Sequence, residues 1–194
     1  VYKLHDGEWY NLGPYVRTAE CRMVAPAGTE PWTLHAYRGG GDLPPAEGRA
    51  YPYLGGGRYA VSVGYGDESS SSTAMVELVG DPIEITPTDG VEHERDGSTV
   101  TVTSPEWEGG DGERDASITV TRAGDADRTL IREQVMRGWY RGLRNTIPFF
   151  EDGVDEVVLR SNERVTYGST GYDDGSNRVR VDGQAYEVSS SGTE

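Results

Sequence analysis

The segment Asp125–Asn145 reads DADRTLIREQVMRGWYRGLRN and contains the strongest helical pattern of the chain. Its apolar residues recur at every fourth position, which places them along one side of an α-helix. This helix packing face consists of Ile131, Val135, Trp139 and Leu143. Asp125 and Asp127 suit the electropositive start of a helix, and Pro148 ends it. The pattern therefore predicts one amphipathic helix over residues 126–145.

The remainder of the sequence has the alternating runs and frequent turns of a β-rich protein. Gly57–Gly66 alternates Tyr and Val with small residues, and Thr73–Val79 alternates again after a polar loop. The two segments predict an antiparallel hairpin with one buried face. An Asp-Gly pair at Asp6 predicts a second hairpin within Val1–Leu12. The pattern of the first pair resembles the late strands of immunoglobulin-like or jelly-roll sandwiches.

A turn at Thr88–Gly90 divides the chain into two halves of different character. The first half, residues 1–88, is predicted to be a β-sandwich domain. The second half, residues 89–194, contains β-branched runs such as Ser98–Ser104 and Ala116–Arg122 in addition to the helix. A single amphipathic helix must bury its apolar side, and a sheet is the large partner available. The fold class expected is therefore mainly β, with an α+β second domain whose helix packs on a sheet.

Gly138 and Gly142 lie four residues apart beside the apolar stripe. Each glycine disfavours a helix by about 1 kcal/mol relative to alanine. The pair predicts that another group approaches the helix closely at this point. Free use of glycine by a GC-rich genome is the alternative explanation.

The charge of the chain is strongly unbalanced, with 33 acidic residues against 18 basic ones and a net charge of −15. Lys3 is the one lysine, so all other basic residues except histidine are arginine. Acidity of this degree disfavours DNA and anionic membranes as partners, because their phosphates are repelled. The composition resembles that of proteins from salt-loving archaea and their viruses. An ordinary acidic protein from a GC-rich genome is the alternative.

Arg137, Arg141 and Arg144 lie opposite the apolar stripe of the predicted helix. A solvated helix face is one interpretation of this cluster. The second is a docking surface for an acidic neighbour such as another copy of the chain, since arginine pairs with carboxylates through two parallel hydrogen bonds. Nucleic acid is the third interpretation, and the acidity of the remaining chain counts against it.

The sequence contains none of the motifs that carry common enzymatic or metal chemistry. His5, His35 and His93 are far apart, and Cys21 is alone, so neither zinc spacing nor an internal disulfide is present. No nucleophile elbow, phosphate-binding loop or complete calcium loop is found. No apolar run is long enough to span a membrane. We therefore expect no catalytic residues, no metal, no cofactor, no small-molecule substrate and no membrane partner.

Several tyrosines surround a glycine-rich loop, and they allow two interpretations. They are Tyr51, Tyr53, Tyr59 and Tyr65. Packing in a core or hairpin is the first interpretation. A row of exposed rings that stacks on sugars is the second, and it would belong to a surface-binding module.

The opening segment Tyr2–Tyr10 (Tyr-Lys-Leu-His-Asp-Gly-Glu-Trp-Tyr) is similar to short hairpins of phage tail and fibre proteins. Together with the composition, it gives the chain a resemblance to virion structural proteins of haloarchaeal viruses, such as capsid, decoration, neck or tail components. The resemblance implies a non-enzymatic assembly protein located in the virion, whose partners are its own copies and other virion proteins. The alternative expectation is a secreted or cell-surface β-sandwich module of a halophilic archaeon that binds carbohydrate or protein.

Overall fold

The structure is a computed structural model that describes residues 1–13, 26–29, 31, 33–40, 49–63, 72–104, 116–161 and 177–192. The fold is mainly β, as predicted, with thirteen strands in three sheets in the described part and few helical residues. The chain divides into two compact units, Val1–Ile83 and Glu84–Glu194.

The first unit contains a four-stranded antiparallel sheet and a small two-stranded parallel sheet. The strand order of the larger sheet is β2-β1-β5-β6, and β3 pairs with β4. The strands are β1 (Tyr2–His5), β2 (Glu8–Asn11), β3 (Leu34–Ala36), β4 (Arg49–Tyr51), β5 (Gly57–Val63) and β6 (Ser72–Leu78). Both predicted hairpins are confirmed, because β1 pairs with β2 and β5 pairs with β6. The type of sandwich stays a prediction.

One face of the larger sheet forms the core of the first unit. Lys3 and Tyr59 are cross-strand neighbours on this face, and both are buried. The Lys3 ammonium lies 5.5 Å from the centre of the Tyr59 ring, within the distance of a cation–π interaction. The one lysine of the sequence is therefore a buried residue of the first unit. Leu12, Tyr51 and Leu54 are also buried in this unit.

The second unit is built on a mixed seven-stranded sheet with the order β10-β12-β13-β9-β11-β8-β7. Its strands are β7 (Glu92–Asp96), β8 (Thr99–Thr103), β9 (Ala116–Ala123), β10 (Arg128–Leu130), β11 (Glu156–Ser161), β12 (Arg178–Val181) and β13 (Gln184–Gly192). β10 runs parallel to β12, and β11 runs parallel to β8. The other pairs are antiparallel. β11 lies between β8 and β9, so these two strands are not paired with each other.

The prediction of one continuous helix over 126–145 is wrong. Its first residues form strand β10, and the rest is divided into short helical turns. These turns are α1 (Arg132–Val135), the 3-10 helix Gly138–Tyr140 and α2 (Arg141–Arg144), and the 3-10 helix Ile147–Phe149 follows them. Arg137 has extended backbone angles (φ −92°, ψ 157°) immediately before Gly138, which ends the first helical run. A pairing partner distant in sequence, β12, takes Arg128–Leu130 into the sheet.

The start of α1 is also capped differently from the prediction. The side chain of Gln134 reaches back and accepts the Ile131 backbone N–H at 3.1 Å. Asp125, predicted as a cap, instead forms an ion pair with Arg178 at 3.1 Å. Because the helical residues begin at Arg132, neither Asp125 nor Asp127 is positioned at a helix start.

Three of the four apolar residues predicted to form the packing face are nevertheless buried. Ile131, Val135 and Leu143 are no more than 4% exposed, and the last two belong to the core on the seven-stranded sheet. The side chain of Trp139 lies outside the described part of the structure. The prediction of an apolar face against the sheet is therefore confirmed for Val135 and Leu143, although no continuous helix carries them.

The boundary between the two units falls after Ile83 rather than after Thr88. The reason lies in the contacts of residues 84–88. The Thr88 backbone N–H donates to the Asn145 side chain, and the Arg144 guanidinium donates to the Thr86 carbonyl oxygen. These hydrogen bonds attach the segment to the second unit.

Candidate interaction surface

The predicted docking arginines do not share one helix face. Arg137 precedes the 3-10 helix in extended conformation, whereas Arg141 and Arg144 are the first and last residues of α2. All three side chains are half-buried. Nε of Arg144 donates to the Thr86 carbonyl oxygen at 2.8 Å. This arginine therefore fixes a segment of its own unit.

Other arginines of the second unit serve the same internal purpose. Nε of Arg122 donates to the Val154 carbonyl oxygen at 3.1 Å, and its guanidinium carbon lies 5.3 Å from the centre of the Phe150 ring. Arg95 donates to the Asp152 carbonyl oxygen at 3.1 Å. These contacts hold loops to the sheet. A basic residue in this acidic chain is consequently a poor marker of a docking site.

The glycine pair gives no support for close packing at Gly138. A Cβ atom added there meets nothing within 4 Å, and the residue is exposed. Gly142 is buried, and its carbonyl oxygen accepts the Thr146 hydroxyl at 2.9 Å. The prediction of a close approach is therefore wrong at Gly138.

The histidines of the chain lie beside aromatic rings. The ring of His93 is 4.8 Å from that of Phe149, and the ring of His35 is stacked on Tyr37 at 6.4 Å. Within the described residues, no group of three His, Cys, Asp or Glu side chains is arranged to hold a metal ion. Cys21 lies outside the described residues.

The tyrosine cluster is partly a core feature. Tyr51 and Tyr59 are buried, and their hydroxyls donate to the carbonyl oxygens of Gly13 and Gly55. Tyr53 is half-buried, and Tyr65 lies outside the described part of the chain. The packing interpretation is thus confirmed for Tyr51 and Tyr59.

The most exposed apolar side chains in the described part lie in and next to strand β6. Met75 is 65% exposed, Val76 is 45% exposed and Val79 is 99% exposed. Every β6 residue except the half-buried Leu78 is exposed, on both faces of the strand. β6 is the last described strand of its sheet, paired with β5 on one side. A protein that exposes apolar side chains along a sheet edge offers a site for another chain.

Sequence reasoning identified this strand but missed its exposure. The alternation of Ala74, Val76 and Leu78 predicted a half-buried strand, whereas Ala74 and Val76 are exposed. A signal was present, because Met75 and Val76 are consecutive and therefore point to opposite faces. One of them had to be exposed in a strand with a single buried face.

The face of the larger sheet opposite Lys3 and Tyr59 carries another exposed apolar side chain, although Ala60 on this face is buried. Trp9 is 44% exposed on β2, opposite the half-buried Leu4 on β1. On the same face, Tyr2 is followed across the sheet by Ala60 and then Met75. We use the name β6 edge for Ser72–Val79. It is the candidate interaction surface of this protein.

No helix in the described part of the chain has the length and apolar character needed to cross a membrane. Comparison with known protein families, with characterised proteins and with solved structures finds no match to this chain.

Proposed function

We propose that this chain is a non-enzymatic structural protein that acts through self-association and contacts with other proteins, as a component of a haloarchaeal virus particle. The observation that supports the proposal most directly is the exposed β6 edge. Met75, Val76 and Val79 place apolar area in contact with water in an otherwise polar chain. Covering this apolar surface with another protein removes it from water, which is favourable in free energy.

The charge of the chain fits assembly in concentrated salt. Copies that each carry a net charge of −15 repel one another at low ionic strength. The screening length falls to roughly 3 Å in 1 M salt, so this repulsion then acts only between neighbouring groups. Salts that are excluded from protein surfaces also strengthen apolar contacts. Both effects favour association as the salt concentration rises.

The experiment is size-exclusion chromatography with light scattering in buffers from about 0.2 M to about 3 M salt, a range within which the screening length falls below roughly 3 Å. We expect the molar mass to rise with salt, and negative-stain images to show ordered assemblies such as rings, sheets or shells. A monomer at every salt concentration would overturn the proposal.

A matched pair of variants identifies the surface involved. Met75→Ser combined with Val79→Ser removes exposed apolar area from the β6 edge and should move association to higher protein concentration. The control is Glu94→Gln, a change on the exposed, polar strand β7. If both proteins associate like the parent, the β6 edge is not the surface that drives association.

A further inference from the structure

We infer that the β6 edge binds the β6 edge of a second copy, with the two strands antiparallel about a twofold axis at Met75. This inference rests on the proposed function, and it names the partner and the register of the contact. β6 is paired along one side in the described structure, with β5. The opposite side of an outer strand presents backbone N–H and C=O groups that a further strand can satisfy.

The β6 edge lacks the features that normally prevent pairing between sheet edges. Natural edge strands carry charges, prolines or bulges that discourage an added strand. The seven residues of β6 include no proline and one charged residue, Glu77. By contrast, strand β7, one of the two outer strands of the seven-stranded sheet, reads Glu-His-Glu-Arg-Asp. β6 and β7 therefore differ in the property that decides whether an edge accepts another strand.

The charges on β6 are compatible with self-pairing, and those on β7 are not. Antiparallel pairing about Met75 places Glu77 opposite Thr73 of the second copy. On its other side, Glu77 already has Arg58 as its cross-strand neighbour. The equivalent pairing of β7 about its middle residue would place Glu94 opposite Glu94, and like charges directly opposite each other are destabilising.

The register follows from the geometry of a twofold contact. Directly opposed residues share a face of a sheet, and a twofold axis perpendicular to the sheet keeps each face on its own side. A residue of β6 and the residue opposite it in the second copy must therefore differ in number by zero or an even amount. The midpoint between two such positions is a residue and not a peptide bond, so the twofold axis passes through a residue. Met75 is the middle residue of Ser72–Leu78, and pairing about it opposes all seven residues of both strands.

This register covers the apolar side chains that β6 exposes. Met75 meets Met75 of the second copy on one face. On the other face, Ala74 meets Val76, and the symmetric pair repeats this contact. The two four-stranded sheets then continue into each other through the central pair of β6 strands.

Disulfide trapping tests the pairing directly. Cys21 is first replaced by Ser, so that an introduced cysteine is the one thiol of the chain. In the inferred register, residue 75 of each copy faces its equivalent across a Cα–Cα distance of roughly 4.5–5.5 Å, which a disulfide spans. Met75→Cys should therefore form a covalent dimer under mild oxidation, and a reductant should cleave the disulfide and return the single chain.

Val79→Cys is the matched control. Val79 is more exposed than Met75, but it lies four positions further along the chain. The two copies of residue 79 would be roughly 26 Å apart along the paired strands. We expect Met75→Cys to cross-link at least about tenfold faster than Val79→Cys, because only the former brings its sulfur atoms within bonding distance.

A mixture of two variants fixes the register. Thr73→Cys and Glu77→Cys should cross-link with each other when mixed, whereas each alone should not. Cross-linking of Met75→Cys no faster than Val79→Cys, in a protein that light scattering shows to associate, would overturn this pairing but leave the proposed assembly function standing. A protein that remains monomeric in every buffer would overturn both.

Discussion

Asn145 connects the helical segment of the second unit to the residues that precede its sheet. Its Nδ2 donates to the Thr88 hydroxyl at 3.0 Å, and its Oδ1 accepts the Thr88 backbone N–H at 2.9 Å. The Thr88 hydroxyl lies 3.4 Å from that of Ser104, and all three residues are buried. Buried polar groups are costly when they lose a partner, so this cluster depends on each of its members.

Asn145→Ala should lower the free energy of unfolding by about 2 kcal/mol or more, because it leaves the Thr88 N–H buried without its acceptor. Urea unfolding followed by circular dichroism at constant salt measures this change. Asn177→Ala, at an exposed asparagine, is the control and should alter the stability by no more than about 0.5 kcal/mol. Equal stability of the two variants would show that the Asn145 hydrogen bonds do not stabilise the unit.

The single residue Tyr186 makes the free energy of unfolding depend on pH. Burial raises the pKa of its phenol above the ordinary value of 10.0, the nearby Arg122 lowers it, and Asp182 raises it. Its ring lies 4.9 Å from that of Phe150. The folded protein therefore holds the phenol proton more tightly than the unfolded chain does.

This difference predicts a loss of stability in alkali. Above a pH of about 10 the unfolded chain releases the proton while the folded protein retains it, so the free energy of unfolding falls until the folded pKa is passed. Tyr186→Phe should make this decline shallower and leave the stability near neutral pH little changed. Urea unfolding over a range of pH, together with ultraviolet titration of tyrosinate, makes the comparison. An identical alkaline decline in both proteins would contradict the assignment to Tyr186.

At the scale of elements, the segment between β10 and β11 shows how burial and backbone geometry separate. Val135 and Leu143 lie in the core, although the extended backbone of Arg137 interrupts the helix between them. Gly138 then begins a 3-10 helix with space around it. Gly138 is therefore not required for close packing. It affects the stability through the conformational entropy of the unfolded chain, which is larger for glycine than for other residues.

Gly138→Ala should raise the free energy of unfolding by about 0.5 kcal/mol, because alanine restricts the unfolded chain at a position whose folded conformation it tolerates. Gly183 is the contrasting position. It also has nothing within 4 Å of an added Cβ, but its φ is +83° in the turn between β12 and β13. Gly183→Ala should therefore lower the stability by about 1 kcal/mol. Thermal unfolding compares the two, and equal effects would contradict a backbone origin.

At the scale of the whole molecule, charge and exposed apolar area are distributed differently. The net charge of −15 belongs to the entire chain, whereas the largest exposed apolar side chains of the described part lie in the first unit. Raising the salt concentration therefore screens the charge of the whole chain and, at the same time, strengthens apolar contacts at the β6 edge. The second unit instead has an outer strand, β7, made of charged and polar residues.

Several features of the fold could be predicted from local sequence. The Asp6-Gly7 turn has positive φ at both residues, the geometry that an Asp-Gly hairpin favours. The alternation of Val100 and Val102, and of Ile118 and Val120, matches strands β8 and β9, in which these four residues are buried. Strand β7 escaped prediction because its five residues are all polar and exposed, so it carries no hydrophobic period.

Short-range periodicity and composition were enough to predict the mainly β character, the turn at Asp6-Gly7 and the burial of Val135 and Leu143. The folded structure was needed to show that Arg128–Leu130 joins a sheet, that Arg144 donates to the Thr86 carbonyl oxygen and that β6 is exposed. Each of these outcomes depends on a partner distant along the chain, or on the lack of one beside β6 among the described strands. Local periodicity contains no information about such partners, which is why the candidate surface became visible only in the fold.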